Sequence, residues 1–266
     1  MKPSICTNSL CHLNIDEVFY DCARHGFAIS IDIGDVKKYG LEALLSLKER
    51  FKVKVSSVSR VGFFTDRDES IENDEVIALC RALDCNSITV VAGGFTGRYK
   101  GYQFYKWQII EEFNLLSVFA SQYGIKLYLE PFHPMYTAEK SVVNTLSKAC
   151  SIIEMLEGKV GLVVDTYHLW HDDDFVDGLL NILNRYDCMI QISDWPKKAE
   201  GVFFNREMVG EGVIDFQWFF SVLNSIEYQG YIEFEVISKR YKNLSSQEYF
   251  ELCQKQWNML GGRVCV

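Results

Sequence analysis

Apolar runs of four to eight residues alternate with amphipathic stretches from one end of the chain to the other. The runs lie at about 4–8, 27–33, 52–58, 87–92, 125–131, 160–165, 187–193 and 230–237, and their length and continuity predict buried strands. Between them the spacing predicts helices over roughly 14–25, 39–51, 69–83, 103–123, 141–157, 173–185, 215–227 and 245–259. Several helix ends are readable. Asn14 precedes IDEVFYDCARHG, whose Gly26 is a natural stop; Ser141 opens one segment and Asp215 another.

Eight strand–helix pairs in strict alternation, without a composition break or a long linker, predict an α/β protein with a parallel sheet. Eight such units in 266 residues match a closed (β/α)8 barrel, read as one domain over 1–266. An open doubly wound sheet is the competitor. It would be favoured by a glycine-rich phosphate turn after the first strand, and TNSLCHLN (7–14) contains no glycine.

In such a barrel, function gathers at the C-terminal ends of the strands. Four runs end there in an oxygen-bearing side chain: KLYLE at Glu130, VGLVVD at Asp165, CMIQ at Gln191 and YIEFE at Glu235. Period-two alternation puts Tyr128 with Glu130, Val163 with Asp165 and Met189 with Gln191 on the inward face. Leu127, Leu129, Ile232 and Phe234 then face the helices, and Glu233 shares the face of Glu235 one layer deeper, with no role assigned. Three carboxylates and a carboxamide suit a hard or borderline divalent ion, Mn²⁺, Mg²⁺ or Co²⁺, better than a thiolate-type zinc site, with Zn²⁺ still admissible.

Other residues cluster near these tips. EPFHPMY brings His133 and Tyr136 to the barrel mouth, the bland alternatives being a helix cap for Glu130 and a surface place for His133. VVDTYHLWHDDDF puts His168 three residues after Asp165, as a substrate-facing or ligand-supporting group, while His171 and Asp172 to Asp174 read as a solvated helix start. IQISDW adds Asp194 and Trp195. Arg206 opens a glycine-punctuated loop and can hold a ligand oxygen, unless it pairs on the surface with Glu207 or Glu211. Arg60 and the VAGGF turn (91–95) either shape the pocket or are a surface cation and a tight turn. Trp107 and Trp170 are candidate apolar walls of the pocket or core aromatics.

Composition narrows the classes. A net charge of −9 offers a nucleic acid no basic footprint. Nine scattered cysteines without a CxxC pair fit a reducing cytoplasm. Neither a signal peptide nor a membrane span is expected, and self-association is left open.

Read together, E-P-x-H-P, V-D-T-Y-H, Q-I-S-D-W, R-x-x-x-G-E-G-x-I-D-F and I-E-F-E-V resemble the xylose-isomerase-like sugar isomerase/epimerase superfamily, most strongly over about 125–238. The resemblance implies a TIM barrel with one divalent metal held by Glu130, Asp165, Gln191 and Glu235. It implies substrate contacts from His168 and Arg206, and a catalytic pair, Glu130 and Glu235, that moves a proton beside the carbonyl of a keto-sugar, sugar phosphate or polyol ketone. Gln191 stands where many epimerases have His, and Tyr136 where some ketose epimerases have a substrate-binding Glu. The alternative on the same metal site is an inosose-type dehydratase of a keto-polyol. Phosphodiester cleavage would need several metals and more than the five histidines present. A non-catalytic sugar-binding barrel is the remaining reading.

Overall fold

The computed structural model describes residues 1–65, 73–95, 100–198 and 205–261. Its strands are β1 (Lys2–Cys6), β2 (Ala28–Asp32), β3 (Val55–Gly62), β4 (Ser87–Val91), β5 (Lys126–Glu130), β6 (Val160–Asp165), β7 (Cys188–Ile192) and β8 (Tyr231–Phe234). They follow one another in chain order as a closed parallel barrel. The helices are α1 (Ile15–His25), α2 (Ile33–Tyr39), α3 (Leu41–Phe51), α4 (Asn73–Ala82), α5 (Tyr102–Ser121), α6 (Leu146–Ile153), α7 (Thr166–Leu169), α8 (Asp173–Arg185), α9 (Phe216–Ser225) and α10 (Ser246–Met259). Of the expected fourth helix, 69–72 lies outside the described residues, as does Cys265.

The chain divides into two compact units, one made of Met1–Ser56 with Ile190–Val266, the other of Ser57–Met189. In the first, β1 pairs with β2 and β8, and β7 with β8, so that Ser4, Glu233 and Gln191 fall at one level of the sheet. Phe234 on the opposite face meets Trp257 of α10, which also meets Phe220 of α9. In the second, β3, β4, β5 and β6 pair in turn, with Val91 level with Glu130 and Tyr128 with Gly161. Tyr128, Val163 and Met189 form a buried cluster, as the alternation predicts.

The helix starts follow their caps. Asn14 accepts from the Asp16 backbone N–H, Asp215 from that of Trp218, and Gly26 ends α1 at φ 70°. Ser141 is the exception. It is buried, and its hydroxyl bonds the Val143 backbone, so the helix opens five residues later under a Thr145 cap. The serine satisfies local backbone in a turn, which is the competing use of a good capping residue. Trp107 is 56% exposed on α5, so it is not a core aromatic. No described helix is long and apolar enough to cross a membrane.

Gly161 is the residue that lets the layer below Asp165 close. A Cβ there would overlap the Tyr128 ring and the Asp187 carbonyl oxygen. Gly161→Ala should therefore destabilise the protein by about 1–3 kcal/mol through overpacking. Urea denaturation reads this directly, and an unchanged midpoint would contradict the close approach.

Candidate active site

Period two and the length of β5 and β6 bring an acid to the end of each. Glu130 is 1% exposed and Asp165 0%. Asp165 also caps the one-turn helix α7, accepting from the Tyr167 backbone N–H at 2.8 Å, and that turn carries His168 back over the strand tips. Ligand-type atoms of Glu130, Asp165 and His168 all lie within 4.8 Å of one another.

The hydrogen bonds decide what His168 can do. The His133 backbone N–H donates to His168 Nδ1 at 3.2 Å, so Nδ1 carries the lone pair. In the neutral ring the proton then sits on Nε2. That nitrogen faces Glu130 Oε1 at 3.7 Å and Asp165 Oδ2 at 3.6 Å. In this tautomer it offers a hydrogen to an oxygen, not a lone pair to a metal. Phe132 stacks on the ring at 4.3 Å and Tyr136 meets it edge-on at 5.5 Å, fixing its plane. Tyr136 and His133 thus reach the site through His168, the tyrosine by its ring and the histidine by its backbone. The His133 side chain is half-buried, accepting from the Met135 backbone N–H and packing 4.3 Å from the His171 ring.

The other unit holds the remaining candidates. Gln191 and Glu235 are 1% and 2% exposed. Arg206, itself 4% exposed, donates from Nη1 to Glu235 Oε2 at 3.1 Å, to the Glu235 carbonyl at 3.0 Å and to Ser193 Oγ at 3.1 Å. The surface pairings considered for Arg206 are taken up elsewhere: Glu207 binds Arg240 and Tyr241, and Glu211 accepts from Gln256. The Cys6 thiol faces Glu235 Oε1 at 3.8 Å, a neighbour that sequence reading missed because β1 ends in no acid.

Asp194 organises the loop that carries Arg206. Its carboxylate accepts from the backbone N–H groups of Trp195, Gly210, Gly212 and Ile214. Gly212 passes so close that a Cβ would strike the Asp194 carboxylate and the Trp195 carbonyl. The glycine spacing of the loop was the available signal.

Residues 18–254 match the family model described as "Xylose isomerase-like TIM barrel". The chain belongs to this family. Among relatives in the xylose isomerase-like barrels, it is 25% identical over 243 residues to an "Inosose isomerase" of Bacillus velezensis, covering 85% of each chain. A solved structure of a Sinorhizobium meliloti 1021 protein superposes with a TM-score of 0.88 at 26% identity, over 97% of this chain and 98% of that one. The IOLI protein, solved with a zinc atom, superposes with a TM-score of 0.79 at 22% identity over 98% of both chains, a likeness of fold.

Each unit holds buried oxygen donors. Glu130 and Asp165 turn carboxylate oxygens toward one point inside the protein. Gln191 Oε1, in the other unit, is buried with no hydrogen-bond partner among the described residues. Carboxylate and carboxamide oxygens are the donor type that a divalent ion takes.

Burial pushes the His133 imidazole down to about 4, and His171 beside it adds to the shift. Burial also lowers His171, against the pull of Asp172 and Asp173. Both rings are held neutral in the fold, whereas the unfolded chain protonates near about 6.5. The unfolded state therefore binds more protons between those values, so stability is full above about 6.5 and falls as pH drops toward about 4. Thermal melts from about pH 7.5 to 4.5 should show the wild-type Tm falling more steeply than that of His133→Asn, which keeps an acceptor for Met135. Parallel curves would refute the assignment.

Proposed function

We propose that this protein is a divalent-metal-dependent sugar isomerase or epimerase that moves a proton beside the carbonyl of a small carbohydrate. The observation that carries the reading is the pair of buried carboxylates Glu130 and Asp165, grouped with His168 so that one polar atom of each lies within 4.8 Å of the others. Two buried carboxylates facing one point are costly unless a cation or strong donors meet them. The family membership and the inosose isomerase relatives point the same way. They favour a cyclic polyol ketone, an inosose, as first substrate to try.

The reading assigns Glu130, Asp165, Gln191 and Glu235 as the ligands of one Mn²⁺, Mg²⁺ or Co²⁺ ion, in a single barrel domain over 1–266. The zinc atom in a structural neighbour keeps Zn²⁺ in the set. When bound, such an ion supplies a Lewis acid that draws electron density from the substrate carbonyl and acidifies the adjacent C–H. One of the pair Glu130 and Glu235 takes that proton and becomes protonated, and the other, starting protonated, gives up a proton of its own to the opposite face of the same carbon or to its neighbour. Arg206 fixes the Glu235 carboxylate through Oε2, which holds its rotamer for that transfer. His168, with its proton on Nε2, donates to a substrate oxygen, and Phe132 and Tyr136 hold the ring in place. The reading also places Tyr136 beside the substrate, with His133 acting there through its backbone contact to His168.

Two measurements test this. Adding Mn²⁺ to metal-stripped protein should raise Tm, by mass action on the folded state. Wild type with an inosose in deuterated water should incorporate deuterium at the α-carbon without change of formula, and Glu130→Gln should slow uptake by roughly 10²–10⁴-fold. A product lighter by one water would replace isomerisation with dehydration. Undiminished exchange in the variant would remove Glu130 from the pair.

A further inference from the structure

The acid given no role in the sequence, Glu233, is 0% exposed and lies level with Gln191 on the neighbouring strand. Gln191 Nε2 donates to Glu233 Oε2 at 3.1 Å. Glu233 Oε1 accepts from Ser56 Oγ at 2.7 Å, and Ser56 Oγ lies 2.7 Å from Ser4 Oγ. The four side chains form a buried polar chain within one unit. Its end is Gln191 Oε1, buried and without a hydrogen-bond partner among the described residues.

We propose that Glu233 is the positioning residue that aims the Gln191 carbonyl oxygen at a cation. A carboxamide has one donor end and one acceptor end. Facing a carboxylate that accepts at both oxygens, only the donor end makes a bond, so Oε1 is turned the other way. A buried carbonyl oxygen left unbonded is unfavourable, and the arrangement persists because the Glu233 bond is charge-assisted. The same carboxylate polarises the amide, adding negative charge to Oε1, as an anion behind a metal ligand commonly does. Ser56 and Ser4 hold Glu233 in turn. Without Glu233 the amide is free to rotate and present its NH₂ group to the ion. This inference rests on the metal reading above and names what orients one of its ligands.

The test is metal affinity, read by calorimetric titration of metal-stripped protein with Mn²⁺ and by the visible ligand-field spectrum with Co²⁺. Wild type should bind one ion. Glu233→Gln should weaken binding by roughly 10–100-fold and shift the Co²⁺ spectrum. The reciprocal exchange, Gln191→Glu with Glu233→Gln, places a carboxylate on the ligand side and an amide donor behind it, and should recover most of the loss. Gln191→Glu alone sets two carboxylates face to face and should not. If Glu233→Gln folds and binds Mn²⁺ as wild type does, the inference falls while the metal reading stands. If the single variant does not fold, the exchanged pair decides: failure to bind while folded overturns the proposal. Wild type that takes up neither ion removes both readings.

Discussion

A carboxylate buried at or near a strand tip must find a donor or a counter-charge, and that demand organises everything around it. Glu130, Asp165, Glu233 and Glu235 are each at most 2% exposed. Glu235 meets the demand with the Arg206 guanidinium, and Glu233 with Ser56 and Gln191. Asp165 meets part of it with the Tyr167 backbone N–H. Glu130 and Asp165 also share the Nε2 proton of His168, at distances too long for strong bonds to either. The two strand-tip acids of this unit thus have the His168 ring beside them, and Glu235 has a guanidinium. Glu235, paired with a guanidinium, is a firmly fixed acid.

Much of this was legible in the chain. Strand positions follow from short apolar runs, and alternation along them put Tyr128, Val163 and Met189 on one face, where they cluster. Asn14, Gly26 and Asp215 mark helix ends because their side chains or φ freedom act locally. Ser141 misled for the same reason: its hydroxyl also acts locally, but on a turn at Val143. What could not be read depends on register between strands. Gln191 reads as a strand-end oxygen, yet it lies level with Glu233, not Glu235, and only that register makes the amide a donor to Glu233. Likewise the pairing of Arg206 with Glu235, 29 residues on, has no local signature.

Both orienting contacts work by the same logic. A group with distinct donor and acceptor ends is turned by a neighbour that can satisfy only one of them. The His133 N–H can only donate, so it claims a lone pair of His168 and sends the proton to Nε2. Glu233 accepts at both of its oxygens, so it claims the N–H of Gln191 and sends the carbonyl outward. Each device places the functional atom without touching it. Each also resists conservative change, since an acceptor in place of the donor, or the reverse, turns the group around.

This logic bears on the departure at position 191. An imidazole there would give one N–H to the carboxylate at 233 and keep one lone pair for a cation. Glutamine preserves that division, a donor behind and a lone pair ahead, while exchanging nitrogen for oxygen. Aspartate or glutamate would lose the donor behind, and lysine or arginine would lose the lone pair ahead. Asparagine keeps both ends on a side chain one methylene shorter, too short to span the 3.1 Å contact without moving the strand. On the proposed metal reading, an oxygen in place of a nitrogen makes this ligand harder, the kind of donor that Mn²⁺ and Mg²⁺ favour.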